Sequence, residues 1–337
     1  MRAVMVREWT QFDQLVLEND VVLPEHIDDN HVRIKIAAVG VSFATTLVVS
    51  GRYQRKPPLP FTPGTEVSGT IMEVGSSVSR FTPGERVVAA LDWGGMAEQA
   101  LTPDATVYHV PDTIPHTQAI GMTNSYGTSY AALVWPHLLN VQAGQTLLVH
   151  GAAGGVGLAA VEIGKLLGAT VIATVGSEEK RQTVLKHGAD HAINYRECAF
   201  RDAVLAITDG RGADAVYDPV GGEIFDQSLR CMAPEGRICP VGFAGGTIPS
   251  APANILLVKN ITVCGLNMGY YYGWSPDDVR YQYIERLSDM INQLARWYSE
   301  GRISLTTSHT FELAQFQEAM QVVLGRTSIG RVALTVD

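Results

Sequence analysis

Cysteine is scarce in this chain, and its placement rules out most of what cysteine does. The four thiols, Cys198, Cys231, Cys239 and Cys264, form no CxxC element. They read as reduced, small apolar residues, three of them in or beside a sheet. Long hydrophobic runs are also missing. No stretch of about 18 or more uninterrupted apolar residues is present to span a bilayer. The opening residues, MRAVMVREWTQFDQ, lack the charged start, apolar middle and small-residue cleavage site of a signal peptide. A cytoplasmic protein with no membrane partner is expected. Positive charge is in deficit, with 25 Lys and Arg against 34 Asp and Glu for a net charge of −9. No basic cluster is long enough to track a phosphate backbone, so nucleic acid is not an expected partner. What remains is a globular balance of 46% apolar and 18% charged residues over 337 positions, enough chain for two domains.

The chain is organised around Gln145 to Ala169, QTLLVHGAAGGVGLAAVEIGKLLGA. Thr146 to Val149 is short and apolar enough for a strand buried on both faces, and a glycine-rich turn and a helical pattern follow it. The turn is a variant of the dinucleotide fingerprint. Ala152 stands where the first glycine usually sits, Gly154 lets backbone approach a pyrophosphate, and Gly157 lets the helix pack on the strand. A helix starting near Gly155 and Val156 would aim its free N–H groups at the phosphates, making Ala153, Gly154, Gly155 and Val156 candidate cofactor contacts.

A tight turn also wants glycine for steric reasons alone, so the context matters. Thr170 to Val175 reads as a second strand, Ser177 to His187 as a helix and His191 to Tyr195 as a third strand. Asp214 to Pro219, Arg237 to Gly242 and Asn260 to Leu266 supply three more, with a helix at Ile224 to Met232 and a loop from Phe243 onward. Such alternation builds a doubly wound parallel sheet.

The N-terminal part has a different pattern. HVRIKI alternates, placing Val32, Ile34 and Ile36 on one face of a half-solvated strand. Short strands at Thr65 to Val74, Gly84 to Leu91 and Gly95 to Leu101 are separated by Pro-Gly and Gly-Ser turns, as in a compact β-barrel. Thr117 to Leu139 reads as a helical linker into the dinucleotide unit. Beyond the sixth strand come an amphipathic helix at Asp277 to Glu300, a second near Leu313 to Leu324, and a final alternating strand, Arg331 to Val336. This tail is expected to return to the first domain.

Several stretches together resemble the zinc-independent quinone oxidoreductase branch, zeta-crystallin-like, of the medium-chain dehydrogenase/reductase superfamily: GVSFATTLVVSGRY, PGTEVSG, GAAGGVG, AINY, YDPVGG and IGRVALT. The resemblance covers nearly the whole chain. It implies an α/β protein with a GroES-like β-barrel domain, residues 1–122 and 267–337, and an inserted Rossmann domain, residues 123–266. Zinc alcohol dehydrogenases of that superfamily bind metal through a cysteine and a Gly-His-Glu histidine. Here Ser42 or its neighbours and Thr65 stand at those positions, so no metal is expected. Hydride delivery to an already electrophilic acceptor follows. Glu66, beside Thr65, reads as a pocket wall, an ion-pair partner or a structural residue.

The end of the second strand decides the nucleotide. An NAD site places an acid there, but this chain has Gly176, then Ser177, Lys180 and Arg181. The resemblance sets Ser177, Lys180 and Tyr195 around a 2′-phosphate, implying NADPH. Glu178 and Glu179 complicate the loop, either as helix-start carboxylates or as a ribose ligand. The resemblance further places Thr128 near the nicotinamide amide, and Val220, Gly242, Phe243 and Met268 around its ring and ribose. Arg331 falls where a family lysine approaches the phosphates. Tyr53, with Ser42 at a position often held by asparagine, is the candidate catalytic donor to an acceptor's carbonyl oxygen. Gly269 to Trp274, GYYYGW, reads as either a flat aromatic wall or subunit-packing surface. Arg52, Arg55 and Lys56 form either a basic rim or solvated surface.

The expected activity is NADPH-dependent reduction of a quinone, a small-molecule electrophilic acceptor. The alternative is reduction of activated C=C bonds in enones, acrylates or acyl thioesters, with a non-catalytic, crystallin-like role as a remote third. The sixth strand, at the sheet edge, suggests a homodimer.

Overall fold

The alternation in HVRIKI does produce a half-solvated strand, but that strand continues to Val41 because Ala38, Val39 and Val41 are buried as well. In this computed structural model, which describes all of residues 1–337, it is the central strand of the first of two units. That unit comprises Met1–Asn124, Met268–Glu300 and Leu305–Asp337. The second comprises Ser125–Asn267 and Gly301–Ser304.

In chain order, β1 (Ala3–Met5) pairs with β2 (Val16–Glu18). There follow β3 (His31–Val41), α1 (Phe43–Val49), β4 (Glu66–Val74), β5 (Arg86–Ala90), β6 (Gln99–Pro103), β7 (Val107–His109) and α2 (His116–Ala119). The expected long linker helix is broken into pieces. A π-helical turn, Met122–Tyr126, separates α2 from α3 (Gly127–Val134).

The second unit continues with β8 (Thr146–Val149), α4 (Gly155–Leu166), β9 (Thr170–Val175), α5 (Glu178–Lys186), β10 (His191–Asn194) and α6 (Phe200–Ile207). After these come β11 (Ala213–Asp218), α7 (Gly222–Arg230), β12 (Met232–Pro240), α8 (Ala253–Lys259) and β13 (Thr262–Val263). All six strands are parallel, in the order β10-β9-β8-β11-β12-β13. The order reverses between β8 and β11, the switch point at which such sheets bind nucleotides. Two expectations are corrected here. The sixth strand is two residues long rather than seven, with both residues exposed, and the expected loop after Phe243 contains α8.

The chain then adds α9 (Met268–Tyr271), α10 (Ile284–Ser299), β14 (Thr307–Glu312), α11 (Phe316–Leu324) and β15 (Arg331–Thr335) to the first unit. The amphipathic helix starts at Ile284 rather than Asp277, because Arg280–Tyr283 is wound as a 3-10 turn with Asp278 holding Arg280. The first unit's sheet has the order β14-β15-β3-β4-β5-β7, with β6 also on β3. Its core gathers Ile34, Ile36, Val67, Val87, Leu91 and Leu334. The final strand does not alternate, since Arg331, Val332, Ala333 and Leu334 are all buried.

Candidate active site

The glycine turn has the shape that its sequence implies. Gly151 has φ +56°, and a side chain on Gly157 would run into the Gly151 carbonyl and come within 2.8 Å of the Ala152 Cα. The helix is thus pressed against the turn, as the third fingerprint glycine allows. Gly154 is the N-cap of α4, and the first helical bond runs from Leu158 N to Gly154 O. The amides of Gly155, Val156 and Gly157 therefore point out of the helix start, where a phosphate binds best. Ala153 is buried at the base of the turn. A bond that sequence reading missed secures this arrangement. Ser129 Oγ on α3 donates to Val156 O at 2.7 Å and accepts from the Tyr217 hydroxyl at 3.0 Å. The neighbouring Thr128 is buried in α3.

The loop after β9 brings three expected residues together. The Tyr195 hydroxyl lies over Gly176, where a Cβ would be 2.5 Å from that oxygen. Ser177 is the N-cap of α5, its Oγ accepting from Lys180 N at 3.3 Å, and Lys180 is half-buried in the first turn. Glu178 is engaged along the helix. Its carboxylate accepts from Arg181 at 2.6 and 2.8 Å and from Gln182 at 2.7 Å. The hydrogen bonds from Arg181 and then Gln182 pull its carboxyl down to about 2.

Val220, Gly242 and Phe243 meet at the ends of β11 and β12. Val241 N donates to Asp218 O, Ala244 N to Pro219 O and Gly245 N to Val220 O at 2.9–3.0 Å. A side chain on Gly221 would sit 2.9 Å from the Phe243 ring. Asp218 organises this junction, a role not foreseen from sequence. Its Oδ1 accepts from Val220 N at 2.8 Å and Gly221 N at 3.0 Å, and burial raises its carboxyl pKa against the pull of those two amides.

The first unit holds the remaining candidates. Ser42 is the N-cap residue of α1, its Oγ 3.3 Å from Thr45 Oγ1. Tyr53 is half-buried just beyond α1, its backbone N–H donating to Leu47 O at 3.0 Å, and burial pushes its hydroxyl pKa up. Met268, at the start of α9, lines a cavity of about 20 Å³ with Thr65, Thr123, Asn124, Tyr272 and Trp274. Arg331, expected to approach phosphates, is 7% exposed and engaged by Glu66 in an ion pair. The broad groove lined by Val21, Val22, Arg33 and Glu73 contains none of the expected site residues. No group of three or more His, Cys, Asp or Glu side chains is placed to share a metal ion. No helix is long and apolar enough to cross a membrane.

Comparison with known proteins agrees with this arrangement. Residues 28–112 match the family described as alcohol dehydrogenase GroES-like domain, and residues 155–289 the one described as zinc-binding dehydrogenase. A quinone oxidoreductase-like protein 2 homolog from Nematostella vectensis is 39% identical over 336 residues, 99% of this chain and 88% of its own. The structure of Escherichia coli quinone oxidoreductase complexed with NADPH matches with a TM-score of 0.88 at 28% identity, covering 99% of this chain and 100% of that one. A 2-haloacrylate reductase matches with a TM-score of 0.83 at 28% identity, covering 99% of each chain.

Proposed function

Since this chain belongs to the zinc-independent quinone oxidoreductase branch of the medium-chain dehydrogenase/reductase superfamily, we propose that it is an NADPH-dependent reductase acting on a quinone without a metal. The observation that carries the cofactor choice is the loop after β9. Tyr195 folds over Gly176, Ser177 and Lys180 open the helix, and Glu178 is held along the helix by Arg181 and Gln182. A 2′-phosphate suits that site and a bare ribose diol does not.

When bound, NADPH supplies a hydride. The unbonded amides of Gly155, Val156 and Gly157 would hold its pyrophosphate, Thr128 would take the nicotinamide amide, and Val220, Gly242 and Phe243 would position the ring and ribose. Ser42 and Thr65, standing where zinc relatives carry ligands, offer only hydroxyls, which suits an acceptor that is electrophilic before it binds. From sequence alone, Tyr53 is the donor assigned to its carbonyl oxygen.

The second reading, reduction of an activated C=C bond, is favoured by the basic rim. Arg52 and Lys56 are exposed, while Arg55 is fixed by Asp92 at 2.7 Å and lies 5.2 Å over the Trp93 ring. Such a rim attracts an anionic acceptor. NADPH oxidation measured in parallel with quinones, enones, acrylates and enoyl thioesters separates the readings. The highest kcat/KM with a quinone is expected. A strong preference for an acrylate or thioester would favour the second reading, and no oxidation with any acceptor would favour a non-catalytic role.

A further inference from the structure

Thr123 is 0% exposed, and its hydroxyl has no hydrogen-bond partner within the protein. Trp274 supplies a second such group, since its indole Nε1 is buried and also lacks a partner. Leaving a buried donor unsatisfied costs about as much as losing a hydrogen bond, so most such groups in a folded protein are paired. The two residues that carry them line the same cavity of about 20 Å³.

The walls of that cavity are fixed. The Tyr272 hydroxyl donates to the Thr123 carbonyl at 2.6 Å, and Trp274 N donates to Gly269 O at 2.7 Å. Thr65 is held through its carbonyl, which accepts from Leu91 N at 2.8 Å. Thr123 itself lies in the π-helical turn Met122–Tyr126, a geometry that recurs where a helix carries a functional group. The volume suits a single water-sized group and is too small for a ring. Indole N–H only donates, so the cavity favours an oxygen that accepts, and Met268 and Ala90 add apolar wall.

We propose that this cavity is the seat of the acceptor's carbonyl oxygen, with Thr123 Oγ–H and Trp274 Nε1–H as its hydrogen-bond donors in place of Tyr53, which does not line it. The proposal rests on the reductase reading above. In that reaction the acceptor gains hydride at its conjugated carbon from the dihydronicotinamide, which becomes oxidised. The displaced electron pair moves onto the carbonyl oxygen, and a proton from water completes the product. The two donors face the charge that grows on that oxygen and strengthen as it grows, the condition under which a hydrogen bond accelerates a reaction.

The test compares wild type with Thr123→Val, Thr123→Ser and Trp274→Phe, using 1,4-benzoquinone and 2-cyclohexenone as acceptors. NADPH dissociation constants and melting temperatures are measured alongside. Thr123→Val and Trp274→Phe are each expected to lower kcat by about tenfold to a hundredfold, with NADPH affinity unchanged. Thr123→Ser, which keeps the hydroxyl, is expected to recover most of that loss. Trp274→Phe keeps the test available if Thr123→Val does not fold. An unchanged kcat in the folded variants, with or without a lower melting temperature, would overturn the proposal and make the cavity a packing or water site. Wild-type protein that oxidises NADPH with neither acceptor would instead remove the reading on which the proposal rests.

Discussion

Arg331 at the start of β15 and Glu66 at the start of β4 form an ion pair inside the first unit, where they are 7% and 1% exposed. Gly40 on β3 makes the room, because a side chain there would collide with the Glu66 carboxylate. Burial pulls the Arg331 guanidinium down to about 10, which still leaves it charged at neutral pH. Removing one member strands the other charge in a dry site, a change that costs about 3–5 kcal/mol, whereas replacing both with apolar groups is often neutral. Glu66→Ala and Arg331→Ala should each lose that much in urea unfolding, and Glu66→Leu with Arg331→Met should lose far less. A double variant that loses the sum of the two single losses would mean that the pair is not coupled.

His150, at the end of β8, is 1% exposed, and burial lowers its pKa to about 3. Ser228 Oγ already donates to Ile224 O at 2.7 Å, so it accepts from His150 Nε2–H at 2.8 Å, and Nδ1 accepts from the Thr174 hydroxyl at 3.0 Å. Burial opposes a second proton on the native ring, while the unfolded chain binds one below about pH 6.5. The stability from this neutral histidine is therefore present above about pH 6.5 and is lost as pH falls toward 3, by up to about 1.4 kcal/mol per pH unit. His116, half-buried and lowered to about 4 chiefly by burial, acts in the same direction. Urea unfolding at pH 7, 6 and 5 should show falling stability, with a shallower slope in His150→Asn. A slope unaltered by that substitution would contradict the assignment.

Lys180 opens α5 beside the Ser177 cap. Truncating a lysine that holds a phosphate removes about 1–3 kcal/mol, toward the low end where water screens the site. Lys180→Ala should raise the NADPH dissociation constant by about fivefold to a hundredfold and leave that of NADH nearly unaltered. Added salt should weaken NADPH binding more than NADH binding. An equal loss for both cofactors in titration calorimetry would assign Lys180 to the pyrophosphate or to the fold.

The edge of the parallel sheet bears on assembly. Thr262 and Val263 form the short β13, and Leu257 and Val258 on α8 are 78% and 80% exposed. An open edge flanked by apolar side chains is suited to pairing with its own copy about a two-fold axis. Sedimentation should give a dimer mass at micromolar concentration, and Val263→Lys should shift it toward one chain. A wild-type mass of one chain would end the dimer proposal.

The parts of the fold that were legible in the sequence are those with local causes. Thr170 to Val175 is a short run rich in β-branched residues between turns, and it is β9 residue for residue. Gly157 was readable because it answers a short-range steric demand: a side chain there would run into the Gly151 carbonyl. Where tertiary packing decides, the sequence was silent. Asn260 to Leu266 looked like a full strand from its apolar residues, yet only Thr262 and Val263 pair with β12. Ala253–Lys259 forms a helix with no buried residue of its own and thus no periodic signal. In the candidate site, Tyr195 reaching back over Gly176 and Asp218 binding the next loop's amides depend on contacts that no local pattern announces. Glu66 was readable as an ion-pair partner, but the identity of Arg331 as its mate required the sheet, which brings β15 and β4 to either side of β3.

The central claim is that this chain passes hydride from NADPH to a quinone. The most direct measurement is anaerobic NADPH oxidation at limiting 1,4-benzoquinone, with NADH run in parallel. One NADPH should be consumed for each quinone, at a rate proportional to enzyme, with a kcat/KM at least about tenfold higher for NADPH than for NADH, as one charged hydrogen bond to the 2′-phosphate implies. Oxidation no faster than in the enzyme-free control, or a preference for NADH, would contradict it.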